Sequence, residues 1–272
     1  ADVHVVVTAR DLLGLVTARW QEVVKNGSTV AIDDYPAGEA TDPRDEWDWG
    51  TMDLADVLAR WGGDGGGRHG AAVPADHVHV ITLPPPDLAR ETLWLRFAEL
   101  VGVDPARCDT GGGEQNESLG VVEVELLRRV NADLSGFDSP LNRGVWIRGY
   151  LGQGKLVPRR GEKFWPSPQR VAALRERGER AVAFVAEQGY DVIGDLDDLR
   201  TPAELPERRH PGTVTDAEML TAASATIAAM LSDVRRLTNR ERSAGLASWL
   251  PEPAKRVLRR VRPLRDRMWR RS

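Results

Sequence analysis

Arg10 is the residue of this chain whose type and position point most directly to chemistry. It stands in the run Thr8-Ala9-Arg10-Asp11, which follows a valine-rich segment and precedes a helical pattern. In a parallel α/β sheet, ligands bind at the carboxyl ends of the strands, where helix N-termini offer N–H groups to anions. A guanidinium there can hold a phosphate through two hydrogen bonds, and Thr17, two turns into the helix, can add a hydroxyl. The alternative is structural: Arg10 pairs with acidic surface groups, and Thr17 is solvated or bonds a backbone carbonyl.

The histidines raise the question of a metal site. His77 and His79 are two residues apart and therefore lie on one face of a strand, as metal ligands can. No carboxylate-rich motif and no third histidine accompanies them in the sequence. We therefore favour the interpretation that they begin a strand near a sheet edge, and we predict no metal ligands.

Familiar catalytic motifs are absent from the sequence. There is no G-x-S-x-G elbow, and Cys108 stands in no recognisable motif. The glycine-rich stretches Gly62–Gly70 and Gly111–Gly113 lack the Gly-Lys-Ser/Thr that opens the helix after a P-loop. Neither is a phosphate-cradling loop, and we expect Gly62–Gly70 to be a flexible surface insertion.

Two β-branched runs, Val3–Thr8 and Val78–Thr82, predict neighbouring parallel strands, because each precedes a polar turn and a helical pattern. Val3–Val7 is typical of a strand that is buried on both faces, and such a strand normally lies inside a sheet. Since the first residue is Ala1 rather than Met, we also expect the start of the chain to be missing.

Helical periodicity and capping residues predict the remaining elements. One predicted helix runs from Asp11 to Asn26 and stops at Gly27, and a second is capped by Asp87 and carries Leu88. Four more are predicted over Asp53–Trp61, Glu117–Leu134, Gln169–Gln188 and Asp216–Leu237. We therefore predict an α/β domain over residues 1–200, a linker over residues 201–215 and a helical extension with a basic tail over residues 216–272.

Composition limits the classes of function. The chain has 272 residues, 41% hydrophobic and 29% charged, which excludes a wholly disordered or collagen-like protein. The net charge of −4 combines +8 in residues 254–272 with −12 in the rest, which does not fit a nucleic-acid-binding domain. With one cysteine, no leader and no apolar run of spanning length, a cytoplasmic location is expected.

The basic tail over residues 252–272 has two interpretations. Its apolar positions form a stripe flanked by arginines, which could make a weak contact with an anionic membrane surface; they are Val257, Val261, Leu264 and Met268. The interpretation that we favour is that this helix packs on the acidic body, because Pro263 interrupts it. Loss of liposome co-sedimentation on deleting residues 252–272 is what the membrane interpretation requires.

Several segments, in the same order, resemble P-loop sulfotransferase-like proteins common in high-GC bacteria. The resemblance covers about residues 3–200 and is carried by Val3–Leu12 with Trp20-Gln21-Glu22, Asp53–Gly62, Val78–Pro86 with Leu93–Ala98, Asn116–Gly120 with Glu125–Asn131, and Gly189–Leu199. It implies a doubly wound parallel sheet of the P-loop type, of which this chain holds a part. It also implies transfer of a sulfuryl group from 3′-phosphoadenosine 5′-phosphosulfate (PAPS) to a hydroxyl or amine of a small-molecule or glycan acceptor.

The resemblance also assigns residues to the cofactor. It implies that an arginine, here Arg10, and a serine hold the 3′-phosphate of PAPS; the serine position falls on Ala18, with Thr17 one residue earlier. Arg159-Arg160-Gly161 is similar to a late basic loop that closes on the same phosphate, although we favour a plain solvated loop there. No catalytic base is assigned.

Two functions from different classes follow. In the family, the loop that binds the 5′-phosphosulfate lies upstream of the strand that corresponds to Val3–Thr8. That loop supplies the positive charge that stabilises the transferring sulfuryl group, so this chain alone is expected to be inactive. The first hypothesis is therefore the 3′-phosphate and acceptor half of a sulfotransferase-like enzyme. The alternative is a non-catalytic α/β binding or scaffold protein that has lost the nucleotide loop.

Overall fold

The computed structural model describes residues 2–36, 48–61, 73–85, 88–89, 91–109 and 118–248, with the backbone alone for residues 240–248. The predictions for Gly62–Gly70, for Gly111–Gly113 and for the tail over 252–272 lie outside these residues. So do the predicted cap Asp87 and the predicted helix start Glu117.

Strand β1, Val5–Ala9, leads into helix α1, Leu12–Lys25, as the sequence predicts. The side chain of Asp11 caps α1, since Oδ1 accepts a hydrogen bond from the Gly14 amide at 2.6 Å. Gly27, with a φ of 98°, ends the helix in the left-handed region that glycine favours. At the last turn, Lys25 is 1% exposed and its ammonium lies 3.0 Å from Glu22 Oε1.

Within the part of the chain that the structure describes, the sheet has three parallel strands in the order β1-β2-β3, with β2 at Val78–Thr82 and β3 at Asp191–Ile193. In its register, Val5 pairs with Val78 and His79 pairs with Asp191. All five residues of β2 are buried, as expected for a central strand. The prediction of an α/β chain with neighbouring parallel strands is therefore confirmed.

The prediction that Val3–Val7 is buried on both faces is wrong. Val3 is 58% exposed and Val6 is 37% exposed, and Thr8 is exposed as well. Among the described residues, β1 pairs only with β2, so it is an edge strand. A β-branched composition indicates a strand, but it does not distinguish a central strand from an edge one.

One face of the sheet packs against two helices, α3 at Leu54–Trp61 and α7 at Pro168–Gln188. Alternation along β2 directs Val78 and Val80 to this face, where they contact a cluster of buried side chains. The cluster also contains Ala9, Leu58, Val182, Val185, Tyr190 and Leu199. His79 and Ile81 point to the opposite face.

The other helices agree with the sequence in place but not always in extent. The remaining ones before α7 are α2 at Trp49–Met52, α4 at Thr92–Leu100, α5 at Val121–Asp133 and α6 at Pro140–Asn142. Helix α4 begins later than predicted, so that Leu88 lies before it and is 48% exposed. Trp61, in the last turn of α3, is 53% exposed.

A π-helix over Arg143–Leu156 was not predicted. It follows α6 directly and leads into one of the six short 3-10 turns found among the described residues. These turns are Ile32–Asp34, Ala75–His77, Pro105–Arg107, Val157–Arg159, Leu196–Leu199 and Pro211–Thr213.

The segment predicted as a linker, residues 201–215, makes hydrogen bonds to residues that precede it. Trp165 donates its amide to Arg209 O at 3.1 Å and its indole Nε1 to Pro206 O at 3.1 Å. Arg175 on α7 donates to Pro202 O at 2.7 Å. By contacts the chain divides into two compact units, Ala1–Met219 and Leu220–Ser272, so this segment belongs to the first.

Helix α8 spans Asp216–Ser248 and is longer than the predicted Asp216–Leu237. Met219 is buried, but Ile227 and Val234, which follow it at helical spacing, are each 57% exposed. Helical spacing identified the helix correctly without showing which of its faces is covered. None of the described helices has the length and apolar composition needed to cross a bilayer.

Candidate anion-binding site

A cavity of about 160 Å³ opens at the carboxyl end of β1, where the sequence placed a ligand site. The strand contributes Thr8 and the loop after it contributes Arg10. Helix α1 adds Arg19, and the opposite wall is made by Asp53 and by Gly178 of α7. Two arginines and one buried carboxylate therefore line a small cavity whose other walls are mostly aliphatic.

The guanidinium of Arg10 is held over the first turn of α1. Its Nη2 lies 3.7 Å from Asp11 Oδ2, and a methyl group at Gly14 would collide with that same nitrogen. Arg10 Nε is buried and has no hydrogen-bond partner among the described residues. A buried N–H without a partner is uncommon in proteins, and this one belongs to a cationic side chain in a cavity wall.

The N-terminus of α1 is less available than the sequence suggested. The amide of Gly14 is already bonded to Asp11 Oδ1, and the amide of Leu15 donates to Asp11 O at 2.9 Å. The capping carboxylate also places a negative charge beside the cavity. The Gly14 amide is therefore already engaged, and the arginine side chains are the positively charged donors that line the cavity.

Asp53 on the opposite wall was not singled out from the sequence. It is 7% exposed, and its carboxylate forms an ion pair with Arg177 Nε. The guanidinium carbon of Arg177 also lies 4.1 Å from the centre of the Trp49 ring. Because Arg177 balances its charge, Asp53 does not add an uncompensated negative charge to the cavity.

Arg10 and Thr17 occupy different places. Thr17 is 8% exposed, lies outside the cavity lining and donates its hydroxyl to Leu13 O at 2.8 Å. This is the backbone bond that the structural alternative described. Arg19, and not Thr17, lines the cavity. It follows Leu12 by seven residues and Leu15 by four, so the three side chains lie on the same face of α1.

The arginine pair at the end of the π-helix lies apart from the cavity lining. Arg159 Nε donates to Glu123 Oε1 at 2.9 Å, and Arg160 has a left-handed φ of 52°. Neither residue lines the cavity. In this structure Arg159 serves to hold the buried carboxylate of α5.

A second polar cluster lies at the carboxyl end of β2, and it was not predicted from the sequence. Thr82, fully buried, donates its hydroxyl to Asp198 Oδ2 at 2.6 Å. Arg96 of α4 donates to Thr82 O at 2.6 Å and to Asp198 Oδ2 at 3.1 Å. These charges satisfy one another, so the cluster ties α4 to the sheet rather than offering a ligand site.

The histidines meet at the opposite, amino-terminal end of the sheet. His4 Nδ1 lies 2.8 Å from His79 Nε2, and His79 Nδ1 lies 2.7 Å from Asp191 Oδ2. The rings of His4 and His77 are stacked, with centroids 4.2 Å apart. A third histidine therefore accompanies His77 and His79 in space although not in sequence; strand register is the signal that would have found it.

Comparisons of the chain with protein-family models, with curated proteins and with solved structures find no match. The atom of the cavity that most directly indicates a ligand is Arg10 Nε, a buried donor without a partner among the described residues.

Proposed function

We propose that the chain is a sulfotransferase-like protein of the doubly wound P-loop type, whose cavity holds the 3′-phosphate of PAPS. The observation that carries the proposal is the buried, unpartnered Nε of Arg10 at the carboxyl end of a parallel strand. A phosphate oxygen would give that N–H the acceptor it lacks.

An unmade hydrogen bond at a buried donor such as Arg10 Nε destabilises the folded chain. Leaving a buried donor without a partner costs about 1–3 kcal/mol, and a hydrogen bond between charged groups recovers this and more. At about 160 Å³, the cavity is smaller than the roughly 300–1,000 Å³ pockets that enclose whole drug-sized ligands. It therefore suits the phosphate end of a nucleotide, with the adenosine lying outside it.

The proposed reaction moves a sulfuryl group between oxygen or nitrogen atoms. The bond from sulfur to the bridging oxygen of the 5′-phosphosulfate breaks, a bond from sulfur to the acceptor forms, and the acceptor loses its proton to a base. Adenosine 3′,5′-bisphosphate leaves with the bond's electron pair. In the resembled family the 5′ end is held by the upstream loop, so the role proposed for Arg10 is to bind and orient the 3′ end.

Two groups near the cavity are poor candidates for the base. The carboxylate of Asp53 is engaged by Arg177. Burial raises the pKa of Tyr35 to about 12, and its hydroxyl contacts Met52 of the cavity wall at 3.5 Å. Tyr35 is therefore protonated at neutral pH and cannot act as the base. The acceptor, a small molecule or a glycan, would transfer its proton to another group.

Calorimetric titration with adenosine 3′,5′-bisphosphate tests the proposal. We expect wild type to bind it and Arg10→Ala to bind it at least ten-fold more weakly, which is about 1.4 kcal/mol. Adenosine 5′-monophosphate, which lacks the 3′-phosphate, should bind wild type and Arg10→Ala equally weakly.

The matched control is Arg236→Ala. It removes one positive charge from an exposed position on α8, where Arg236 pairs with Asp233 at 2.8 Å, outside the cavity lining. We expect it to leave bisphosphate affinity unchanged. Equal weakening by both variants would mean that net charge, not a site at Arg10, governs binding.

The alternative is a non-catalytic α/β binding or scaffold protein. It is favoured by the internal pairing of the cavity's charged groups, Asp53 with Arg177 and Arg10 with Asp11. Under this alternative, wild type does not bind adenosine 3′,5′-bisphosphate, and the encoding frame contains no Gly-x-x-Lys-x-Gly-Thr-Thr-like loop upstream of β1. Finding both would replace the sulfotransferase proposal.

A further inference from the structure

We propose that the amino-terminal end of the sheet carries a binding site for a divalent transition-metal ion of the zinc class. The ligands are Asp2, His4 and His77, and the pair His79 and Asp191 positions His4. These five residues are called the histidine cluster below. The inference does not depend on the proposed function, because the cluster lies at the other end of β1 from Arg10.

Strand register brings the cluster together. The pairing of Val5 with Val78 continues backwards to set His4 beside His77, and their rings stack at 4.2 Å with an interplanar angle of 16°. His79 lies on the same side of the sheet as His77, since the rings of both stack on the ring of His4. The pairing of His79 with Asp191 then brings a carboxylate from β3.

The hydrogen bonds prepare one nitrogen of His4 for a metal. A carboxylate only accepts, so the 2.7 Å contact to Asp191 Oδ2 places the proton of neutral His79 on Nδ1. His79 Nε2 then accepts from His4 Nδ1 across 2.8 Å. Neutral His4 is left with a lone pair on Nε2. Metal-bound histidines characteristically have their second nitrogen held by such a partner.

The prospective ligand atoms are already close. Asp2, His4 and His77 each offer one atom, and these atoms lie within 4.8 Å of one another. The carboxylate Oδ1 of Asp2 is 3.6 Å from His77 Nδ1. Ligands about 2.0–2.2 Å from a tetrahedral zinc ion are roughly 3.4 Å apart, so modest side-chain rotations complete the site.

The exposure and chemistry of the cluster indicate the kind of ion. Asp2 and His4 are exposed, so their side chains can rotate and a fourth position stays open to water. Two imidazoles and one carboxylate suit zinc and related ions, whereas magnesium and calcium prefer oxygen ligands alone. Bound there, the ion would join the start of β1 to the residue before β2.

Zinc titration of the untagged chain tests the proposal by calorimetry. We expect one Zn²⁺ per chain, and we expect His4→Ala and His77→Ala each to weaken binding at least ten-fold. His210→Ala is the matched control, because it removes one histidine whose ring pairs with Asp33 away from the cluster. It should leave the affinity unchanged.

Asp191→Asn tests the positioning role separately. We expect the stoichiometry to stay at one and the affinity to fall by about ten-fold, the range typical of such outer partners. In wild type, histidine side-chain ¹⁵N spectra should show the Nε2 resonance of His4 shifting as zinc is added. A change at Nδ1 of His4 instead, or unchanged affinity in Asp191→Asn, would overturn the positioning role.

The metal site itself is overturned by either of two results. One is the absence of stoichiometric zinc binding by wild type. The other is equal affinity in wild type, His4→Ala and His77→Ala, with all three folded by circular dichroism. If an alanine variant fails to fold, the wild-type ¹⁵N spectra decide, since unperturbed His4 and His77 resonances at saturating zinc exclude both ligands.

Discussion

At the scale of single residues, Gly14 belongs to the candidate anion site although it has no side chain. The guanidinium of Arg10 lies where a methyl group at Gly14 would be, so the two residues are packed as a pair. In sequence, a glycine in the first turns of a helix indicates only a weak helix former. Here it makes the space that lets Arg10 fold back over α1.

Gly14→Ala therefore tests whether the placement of the Arg10 guanidinium matters, because it moves that group without removing it. The new methyl group would collide with the Arg10 guanidinium and with Oδ2 of the capping Asp11, and both are ends of side chains that can move. We expect bisphosphate affinity to fall several-fold. We also expect α1 to be retained, because alanine favours the helix over glycine by about 1 kcal/mol.

Calorimetry on Gly14→Ala, with urea unfolding alongside it, checks this expectation. The double variant Gly14→Ala with Arg10→Ala should bind no more weakly than Arg10→Ala alone, since both changes act on the same contact. Additive losses in the double variant would show that Gly14 matters for another reason.

Residue types predicted one member of the anion site and fewer than half of the histidine cluster. Arg10 could be found because it directly follows a strand. Arg19 and Asp53 could not, because their places depend on how α1 and the segment before α3 pack. Likewise, His4 meets His77 only through the pairing of two strands that are far apart in sequence.

At the scale of elements, the start of α8 has a local charge arrangement that responds to pH. Thr215 donates its hydroxyl to Glu218 Oε2 at 2.8 Å, and Arg209 donates to both oxygens of that carboxylate. The hydrogen bond from Arg209, with those from Thr215, lowers the pKa of Glu218 to about 2. The group thus acts as a capping carboxylate supported by a cation.

The sign of the pH dependence follows from that lowered pKa. Because it lies below the ordinary 4.5, ionised Glu218 stabilises the fold above about pH 4.5, and this contribution is lost as pH falls towards about 2. We expect Glu218→Gln to be less stable than wild type at pH 6. The difference in unfolding free energy should shrink steadily towards pH 2.

Urea unfolding of both proteins at pH 6, 4 and 2 measures this difference. Glu187→Gln, at an exposed position on α7, is the matched control and should differ little from wild type at any pH. The group is exposed to solvent, so added salt should reduce the effect. A difference that is constant from pH 6 to pH 2 would rule out the assigned role.

Elements with strong end signals could be predicted from the sequence, and the π-helix could not. Helices α1 and α7 form within about a residue of their predicted bounds, because Asp11 and Gly27 mark the first and Gly189 ends the second. The π-helix has no apolar pattern of period 3.6. Its own signal is glycine at five-residue intervals: a Cβ at Gly149 would lie 3.1 Å from Gly144 O.

At the scale of the whole molecule, the two proposed sites lie at opposite ends of β1. Six residues separate His4 from Arg10, which at about 3.3 Å per residue is roughly 20 Å. The sheet between them is built from parallel strands of five residues or fewer. One end presents imidazoles and carboxylates, and the other presents guanidinium groups.

We therefore expect zinc and adenosine 3′,5′-bisphosphate to bind independently. Across roughly 20 Å of mostly aqueous surroundings, and with a screening length of about 8 Å at physiological salt, the attraction between a dication and a phosphate is well under 0.5 kcal/mol. Bisphosphate affinity measured with and without saturating zinc should differ by less than two-fold. A five-fold difference would mean that the sheet couples its ends.

The start of the long helix α8 could be predicted from the sequence, but the contacts of the segment before it could not. The change from α/β pattern to a long helix near residue 216 is visible in the sequence, and α8 begins at Asp216. The hydrogen bonds from Trp165 and Arg175 to the segment 201–215 are not visible there, because proline-rich composition indicates irregular backbone without showing what it contacts.

The burial of Lys25 has a consequence for the covalent chemistry of the folded chain. Lys25 is 1% exposed and its amine is held by Glu22, whereas Lys163 is exposed. An acylating reagent in solution reaches only amines that are solvated and unprotonated. While α1 stays folded, the amine of Lys25 is protected from acylation. Acylation of that amine therefore shows that the last turn of α1 has opened.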